Sequence, residues 1–195
     1  MPAHGFALTR VGYDHPDAIR LIAELQAVYV ARYGGEDATP LDPAEFAAPG
    51  GYFVIGYVDG VAAACGGWRA RDTEPHDPEL RDGDAEIKRM YVIATYRGRG
   101  IARAVLAELE RAAAAAGRRR MVLETGDRQP EAVALYTSEG YRPVAWFGKY
   151  RDEPACRCFG KDIVNSARVH VLNVDGVPAA PKEGSIQDRV EQGLV

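Results

Sequence analysis

Apolar residues recur along this chain with two periods, one near 3.6 and one of two, and stretches of the two kinds alternate. Ala18, Ile22, Leu25 and Tyr29 follow one another at helical spacing, which predicts a helix over residues 16–32. Asp14 stands where a cap belongs, Pro16 suits the first turn, and Gly34 and Gly35 end the pattern. In "LDPAEF", Asp42, Pro43 and Glu45 follow capping-box order, so a short second helix is predicted, stopped by Pro49, Gly50 and Gly51. "GYFVIGYV" and "VAAACGGW" are strand-like runs joined by Asp59-Gly60, a pair that tolerates the positive φ angles of a type I′ hairpin. The polar, aperiodic "RARDTEPHDPELRDGD" is a surface loop in position to cover a site.

The next strand, residues 84–92, breaks its own period. Ala85 and Ile87 share a face, yet the following apolar residues are Met90 and Val92, a step of three where a strand requires two. A β-bulge near Arg89 restores the phase and frees backbone N–H and C=O groups for a ligand. The alternative is a regular strand with Met90 half exposed and Tyr91 inward. Arg97-Gly98-Arg99-Gly100 then runs into a helix carrying Ile101, Val105 and Leu109, ended by Gly117. Glycines at a helix start let the first backbone N–H groups approach an anion, the helix dipole favours negative charge there, and guanidinium groups match phosphate oxygens. Strand, glycine turn and helix in succession therefore read as a phosphate cradle, although neither a Walker sequence nor dinucleotide-site glycine spacing is present.

"RRRMVLET" is a further strand, "QPEAVALYTSEG" a helix from about Pro130 to Gly140, and "YRPVAWF" and "ACRCFGKDI" are strands. The order predicts an α+β fold in which helices flank a mixed, mostly antiparallel central sheet. The 195-residue length and 47% hydrophobic content suit one domain. A formal charge of −4 offers no broad attraction to nucleic acid or anionic lipid. With no apolar run of membrane-spanning length and no leader-like N-terminus, no membrane association is expected and the cytoplasm is the expected compartment. Three sparse cysteines argue against a disulfide framework. Cys156 and Cys158 share a strand face without the further ligands that a metal needs, so no metal is expected; Cys65 reads as a small core residue.

"EIKRMYV", "RGRGIA" and "QPEAVALYTSEGY", in that order, resemble the GNAT family of N-acetyltransferases, which transfer an acetyl group from acetyl-CoA to an amine. The resemblance spans roughly residues 6–163. It implies a GNAT-type sheet in a domain of residues 1–163, followed by a C-terminal extension, 164–195, that is an added strand, a dimer arm or a loose tail. The family's pyrophosphate loop reads Gln or Arg, two free positions, Gly, one free position, then Gly or Ala, and Arg97, Gly100 and Ala102 fill it. The resemblance thus assigns acetyl-CoA as cosubstrate to the backbone of Met90, Tyr91 and Val92, to Arg97, Gly98, Arg99, Gly100, Ile101 and Ala102, and to Gln129, where many members carry asparagine three residues before the alanine.

Amide formation needs a group to accept the proton of an ammonium and benefits from one that protonates a leaving thiolate. Glu86 resembles the family's strand glutamate, which often acts as base through a water, and Tyr136 its tyrosine near the CoA sulfur; Glu124 is a reserve base. Tyr29, Tyr33, Glu36, Asp37, Phe46 and Trp68 lie in the segments that commonly shape the family's acceptor pocket and mix aromatic walls with carboxylates. Glu124, Tyr29, Tyr33 and Trp68 are accordingly the expected substrate-binding residues, and a small cationic amine the expected acceptor. Two readings follow: an N-acetyltransferase, or a non-catalytic acyl-CoA-binding module that signals to a partner.

Overall fold

A computed structural model describes residues 5–163 apart from 73–76 and 78, so the predicted C-terminal extension lies outside the described residues. The element order is β1 (Phe6–Arg10), α1 (Pro16–Tyr33), a 3₁₀ turn (Pro43–Phe46), β2 (Gly51–Val58), β3 (Val61–Arg71), β4 (Asp84–Val92), a second 3₁₀ turn (Ala94–Tyr96), α2 (Ile101–Ala115), β5 (Arg120–Gly126), α3 (Pro130–Ser138), β6 (Arg142–Pro143) and β7 (Cys156–Asp162). The strands form one sheet in the order β1-β2-β3-β4-β5-β7-β6. All neighbours are antiparallel except β4 and β5, which run parallel.

Period-two alternation sorts side chains onto the two faces of the sheet. Val54 of β2 packs beneath α2 with Trp68, Ile87, Val105, Leu109, Met121 and Tyr136. Its neighbours Phe53 and Ile55 point the other way and meet Ala18 and Leu21 of α1. Helix α1 therefore covers one face, and α2 and α3 the other. At its 25 cal/mol per Å² rate, apolar burial is worth roughly 1.5–3 kcal/mol for each such large side chain, and these two layers fix the sheet against which the site is built.

Several local expectations hold, with particular corrections. Asp59 and Gly60 take φ of 49° and 80° in the hairpin turn, as an I′ turn requires. The capping box is formed, Asp42 accepting from Ala44 N and Glu45 from Asp42 N, on a turn too short to be an α-helix. Helix α1 is capped by His15, whose Nδ1 accepts from Asp17 N at 3.2 Å, rather than by Asp14. "YRPVAWF" forms only the two-residue β6: Pro143 cannot donate to a ladder and sits on the sheet edge. The N-terminal "FALTR", not singled out from its sequence, pairs with β2 as the opposite edge.

Candidate active site

Strand β4 carries the bulge that its phase slip predicts. Cys65 faces Tyr91 and Gly67 faces Lys88, so two residues of travel on β3 correspond to three on β4. Arg89 takes φ of 58°, a left-handed conformation rare for a residue with a Cβ. On its other side β4 pairs with β5 only at Asp84, Ala85 and Glu86, opposite Arg120, Met121 and Val122. Beyond Glu86 the two strands part, while β5 continues to pair with β7 as far as Gly126.

A cavity of about 420 Å³ occupies this gap. Because the strands separate there, it is lined from both faces of the sheet. Tyr29 and Tyr33 of α1 and the following Glu36 and Asp37 line it from one side, and Ala132 and Tyr136 of α3 from the other. Lys88, Arg89 and Met90 form one edge, Glu124 and Gly126 the opposite edge, and Tyr150 and Glu153 close it from the loop before β7.

Three of the expected residues, Glu86, Trp68 and Phe46, are buried away from the cavity lining. Glu86 lies at the end of the paired part of β4, is fully buried and does not line the cavity. Arg69 Nε and Arg71 Nη1 donate to its Oε2 at 2.9 and 2.6 Å, and Lys88 Nζ lies 2.6 Å from Oε1. Burial alone raises a carboxyl pKa, but the three cations outweigh it and hold Glu86 at about 2. Trp68 is 1% exposed in the core beneath α2, and Phe46 is buried between Tyr13 and Phe53. Neither lines the cavity. Trp68 points to the face opposite its neighbour Arg69 and packs under α2, and Phe46, on the first 3₁₀ turn, stacks on Tyr13.

Glu124 is on the cavity. Its Oε2 accepts from Lys88 Nζ at 3.1 Å and its Oε1 from Tyr150 N at 3.3 Å. Burial lifts its carboxyl pKa above the ordinary value, Lys88 offsets only part of that, and the charge of Glu86 adds to it. Lys88 itself is held protonated, the two glutamates outweighing the burial that opposes its charge. Gly148 lies so close to Glu124 that a Cβ there would meet the carboxylate at 2.6 Å. The loop before β7 thereby closes over the glutamate.

Tyr136 is 6% exposed, and among the described residues its hydroxyl donates only to Met90 Sδ, at 3.6 Å. Burial raises its pKa, so the hydroxyl stays protonated. Tyr33 fills the space beside Gly126, where a Cβ would meet its Oη at 2.0 Å. Gln129 precedes α3 and directs Nε2 to Tyr33 Oη at 3.4 Å. Lys88, Arg89 and Tyr150 were not singled out as site residues from the sequence. The first two follow once the bulge is aligned on β3; nothing local marks Tyr150.

The start of α2 is shaped for an anion. Gly98 and Gly100 have φ of 74° and 78°, nothing within 4 Å of where a Cβ would stand, and no side chain caps the helix. Arg97 Nε donates to Val92 O at 3.0 Å and Arg99 Nη2 to Thr95 O at 3.2 Å. Both side chains are anchored to the chain beside the exposed glycines, whereas Arg103 is directed to Glu139 at 2.8 Å. Uncapped N–H groups, two open glycines and two adjacent guanidinium groups fit a phosphate-bearing cosubstrate.

The model of the acetyltransferase (GNAT) family matches residues 19–141, which holds the parted strands, the glycine turn and α3. This chain belongs to that family. The GNAT protein is 35% identical over 136 residues to an IAA acetyltransferase of Azospirillum brasilense, covering 70% of this chain and 84% of that one. Its fold is similar to a Klebsiella pneumoniae chain named as an acyl-CoA N-acyltransferase, with TM-score 0.65 and 26% identity over 82% of this chain and 98% of that one. An Elizabethkingia anophelis GNAT acetyltransferase with acetyl-CoA bound matches at TM-score 0.56 and 14% identity, over 82% and 99%. The protein is thus an acetyl-CoA-dependent N-acyltransferase, with acetyl-CoA as cosubstrate. No helix of the described residues is long and apolar enough to cross a membrane.

Proposed function

We propose that this enzyme acetylates the primary amine of a small cationic acceptor, bound in the cavity between α1 and the parted strands. The observation that carries the reading is that Glu124, from the β5 edge, and Tyr136, from α3, line one cavity where β4 and β5 part. Bound acetyl-CoA supplies an activated acetyl thioester. Arg97, Gly98, Arg99, Gly100, Ile101 and Ala102 hold its phosphates, the backbone of Met90, Tyr91 and Val92 orients its arm, and Gln129 braces the same wall.

Glu124 accepts the proton that an ammonium must lose before it attacks. Its raised pKa makes it a better match to that task than Glu86, whose carboxylate is held ionised by three cations. Tyr136 holds the proton given to the departing sulfur. The acceptor's charge follows from the balance of the walls. Asp37 is matched by Arg89 and Glu124 by Lys88, while Glu36 and Glu153 make no ion pair with a described residue. Arg128, the remaining cation of the lining, donates to Arg32 O and lies over the Tyr33 ring. A net negative rim over tyrosine faces favours a cation. Residues 1–163 form the catalytic domain in this reading, and three free cysteines suit the cytoplasm.

The test is a panel of primary amines of differing charge, incubated with acetyl-CoA while thiol release is followed. Turnover favouring cationic amines, lost in Glu124→Gln across neutral pH, is the expected result. No turnover with any amine, or a preference for anionic amines, overturns it.

A further inference from the structure

The bulge of β4 places an arginine where backbone geometry favours glycine. Arg89 keeps its left-handed φ of 58° with a side chain only 5% exposed. Its Nη1 lies 2.5 Å from Asp37 Oδ2, and its Nε is 3.4 Å from Tyr13 Oη. The other oxygen of Asp37 accepts from Thr39 N at 2.9 Å, Thr39 Oγ1 at 2.6 Å and Tyr150 Oη at 3.0 Å. The Asp37 backbone exchanges two hydrogen bonds with the Gln26 side chain, at 3.0 and 3.2 Å. One carboxylate thus joins the loop after α1, the loop before β7 and the bulged strand, which are three walls of one cavity.

We infer that Asp37 and Arg89 are a positioning pair that fixes the acceptor side of the cavity to the strand serving the cosubstrate. This inference rests on the acceptor site proposed above. Neither residue need carry a proton: Asp37 stays ionised because Arg89 and the Thr39 hydrogen bonds outweigh its burial, and Arg89 stays charged because Asp37 outweighs its own. The pair acts through geometry. Without it, residues 34–39 and Tyr150 lose the contact that orders them over the bulge, while the exposed glycine turn before α2 keeps its shape. Acceptor binding therefore depends on the pair and acetyl-CoA binding does not.

Stability and positioning separate in a double variant. Asp37→Asn alone leaves a buried guanidinium unmatched, which lowers the melting temperature whatever the pair does for the site. Adding Arg89→Gln removes the orphaned charge and restores part of the melting temperature, but it does not restore the tie. The experiment measures KM for the fastest panel amine, kcat, acetyl-CoA affinity by calorimetry and amide exchange in full-length wild type, Asp37→Asn and Asp37→Asn/Arg89→Gln.

The expected result is a KM for the amine raised about tenfold or more in both variants, with kcat less affected, acetyl-CoA affinity within about twofold and faster exchange at residues 34–39 but not in α2. Recovery of KM together with the melting temperature in the double variant, or unchanged exchange at 34–39, overturns the positioning role. Should wild type turn over no amine while the variants still release residues 34–39, the acceptor reading falls and the tie itself stands.

Discussion

The two halves of β4 differ in what their neighbours do with the same kinds of residue. From Asp84 to Glu86 the strand is paired on both sides, and Glu86 is surrounded by Arg69, Arg71 and Lys88. From Lys88 to Val92 it keeps β3 through a bulge and has lost β5, and there the charged groups face a cavity. Lys88 lies at the boundary and touches a carboxylate on each side, Glu86 at 2.6 Å and Glu124 at 3.1 Å. The two carboxylates shift in opposite directions, Glu86 down to about 2 and Glu124 up. In the reading proposed above, a carboxylate in a matched cage serves structure, and one with a single shared lysine, a buried position and a cavity before it serves chemistry. Strand pairing, not residue type, decides which is which.

The largest expected effect tests the structural half. Glu86→Gln leaves three buried or half-buried cations with one fewer counter-charge, and should lower stability by about 3–5 kcal/mol, measured by denaturant unfolding. The wild type should show the matching pH dependence. A carboxyl depressed from 4.5 to about 2 contributes stability that is fully present above about pH 4.5 and is lost as pH falls towards 2. A Glu86→Gln protein of wild-type stability with abolished turnover would reverse the comparison.

Next comes the chemical half. Glu124→Gln should fold with a melting temperature near that of wild type and lose about 10²- to 10³-fold in kcat near neutral pH, the scale of general-base help. Activity of the variant should recover as rising pH deprotonates the amine unaided. In the wild type, the base's contribution should fall away on acidification at a pH above the ordinary glutamate value, because burial raises the Glu124 pKa. A pH profile shared by wild type and variant would remove Glu124 from the reaction.

Tyr136→Phe sharpens the same half with a somewhat smaller effect, about 10²-fold in kcat or ~2.7 kcal/mol of barrier. Among the described residues the hydroxyl has a single weak partner, Met90 Sδ at 3.6 Å, so its removal should leave stability nearly unchanged. Turnover within about threefold of wild type would assign the ring to packing alone, on the scale of general-acid contributions.

The smallest effect lies past the end of the strand. Gly100→Glu puts a carboxylate and a Cβ at φ 78° where the helix start favours anions from outside, and Arg97→Ala removes a neighbouring cation. Each should weaken acetyl-CoA binding about tenfold, ~1.4 kcal/mol, seen as a smaller thermal shift at fixed acetyl-CoA. Equal shifts in wild type and both variants would place the phosphates elsewhere.

What the sequence determined by itself was local and short-range. The Asp59-Gly60 turn, the Asp42 and Glu45 box, the bulge at Arg89 and the open glycines before α2 each depend on a few consecutive residues, so spacing alone exposed them. The order of elements likewise carried the fold class and the family resemblance. Tertiary structure decided what depends on distant pairing. Trp68 was an acceptor candidate until the β3–β4 register put it under α2. The cage of Glu86 is built by Arg69 and Arg71, 17 and 15 residues away in the chain, and no local spacing announces it. Glu124 and Tyr136 became a pair of cavity groups only where β4 and β5 part. A carboxylate's proton affinity is set by charges and burial within a few ångströms, and in a sheet those neighbours come from other strands.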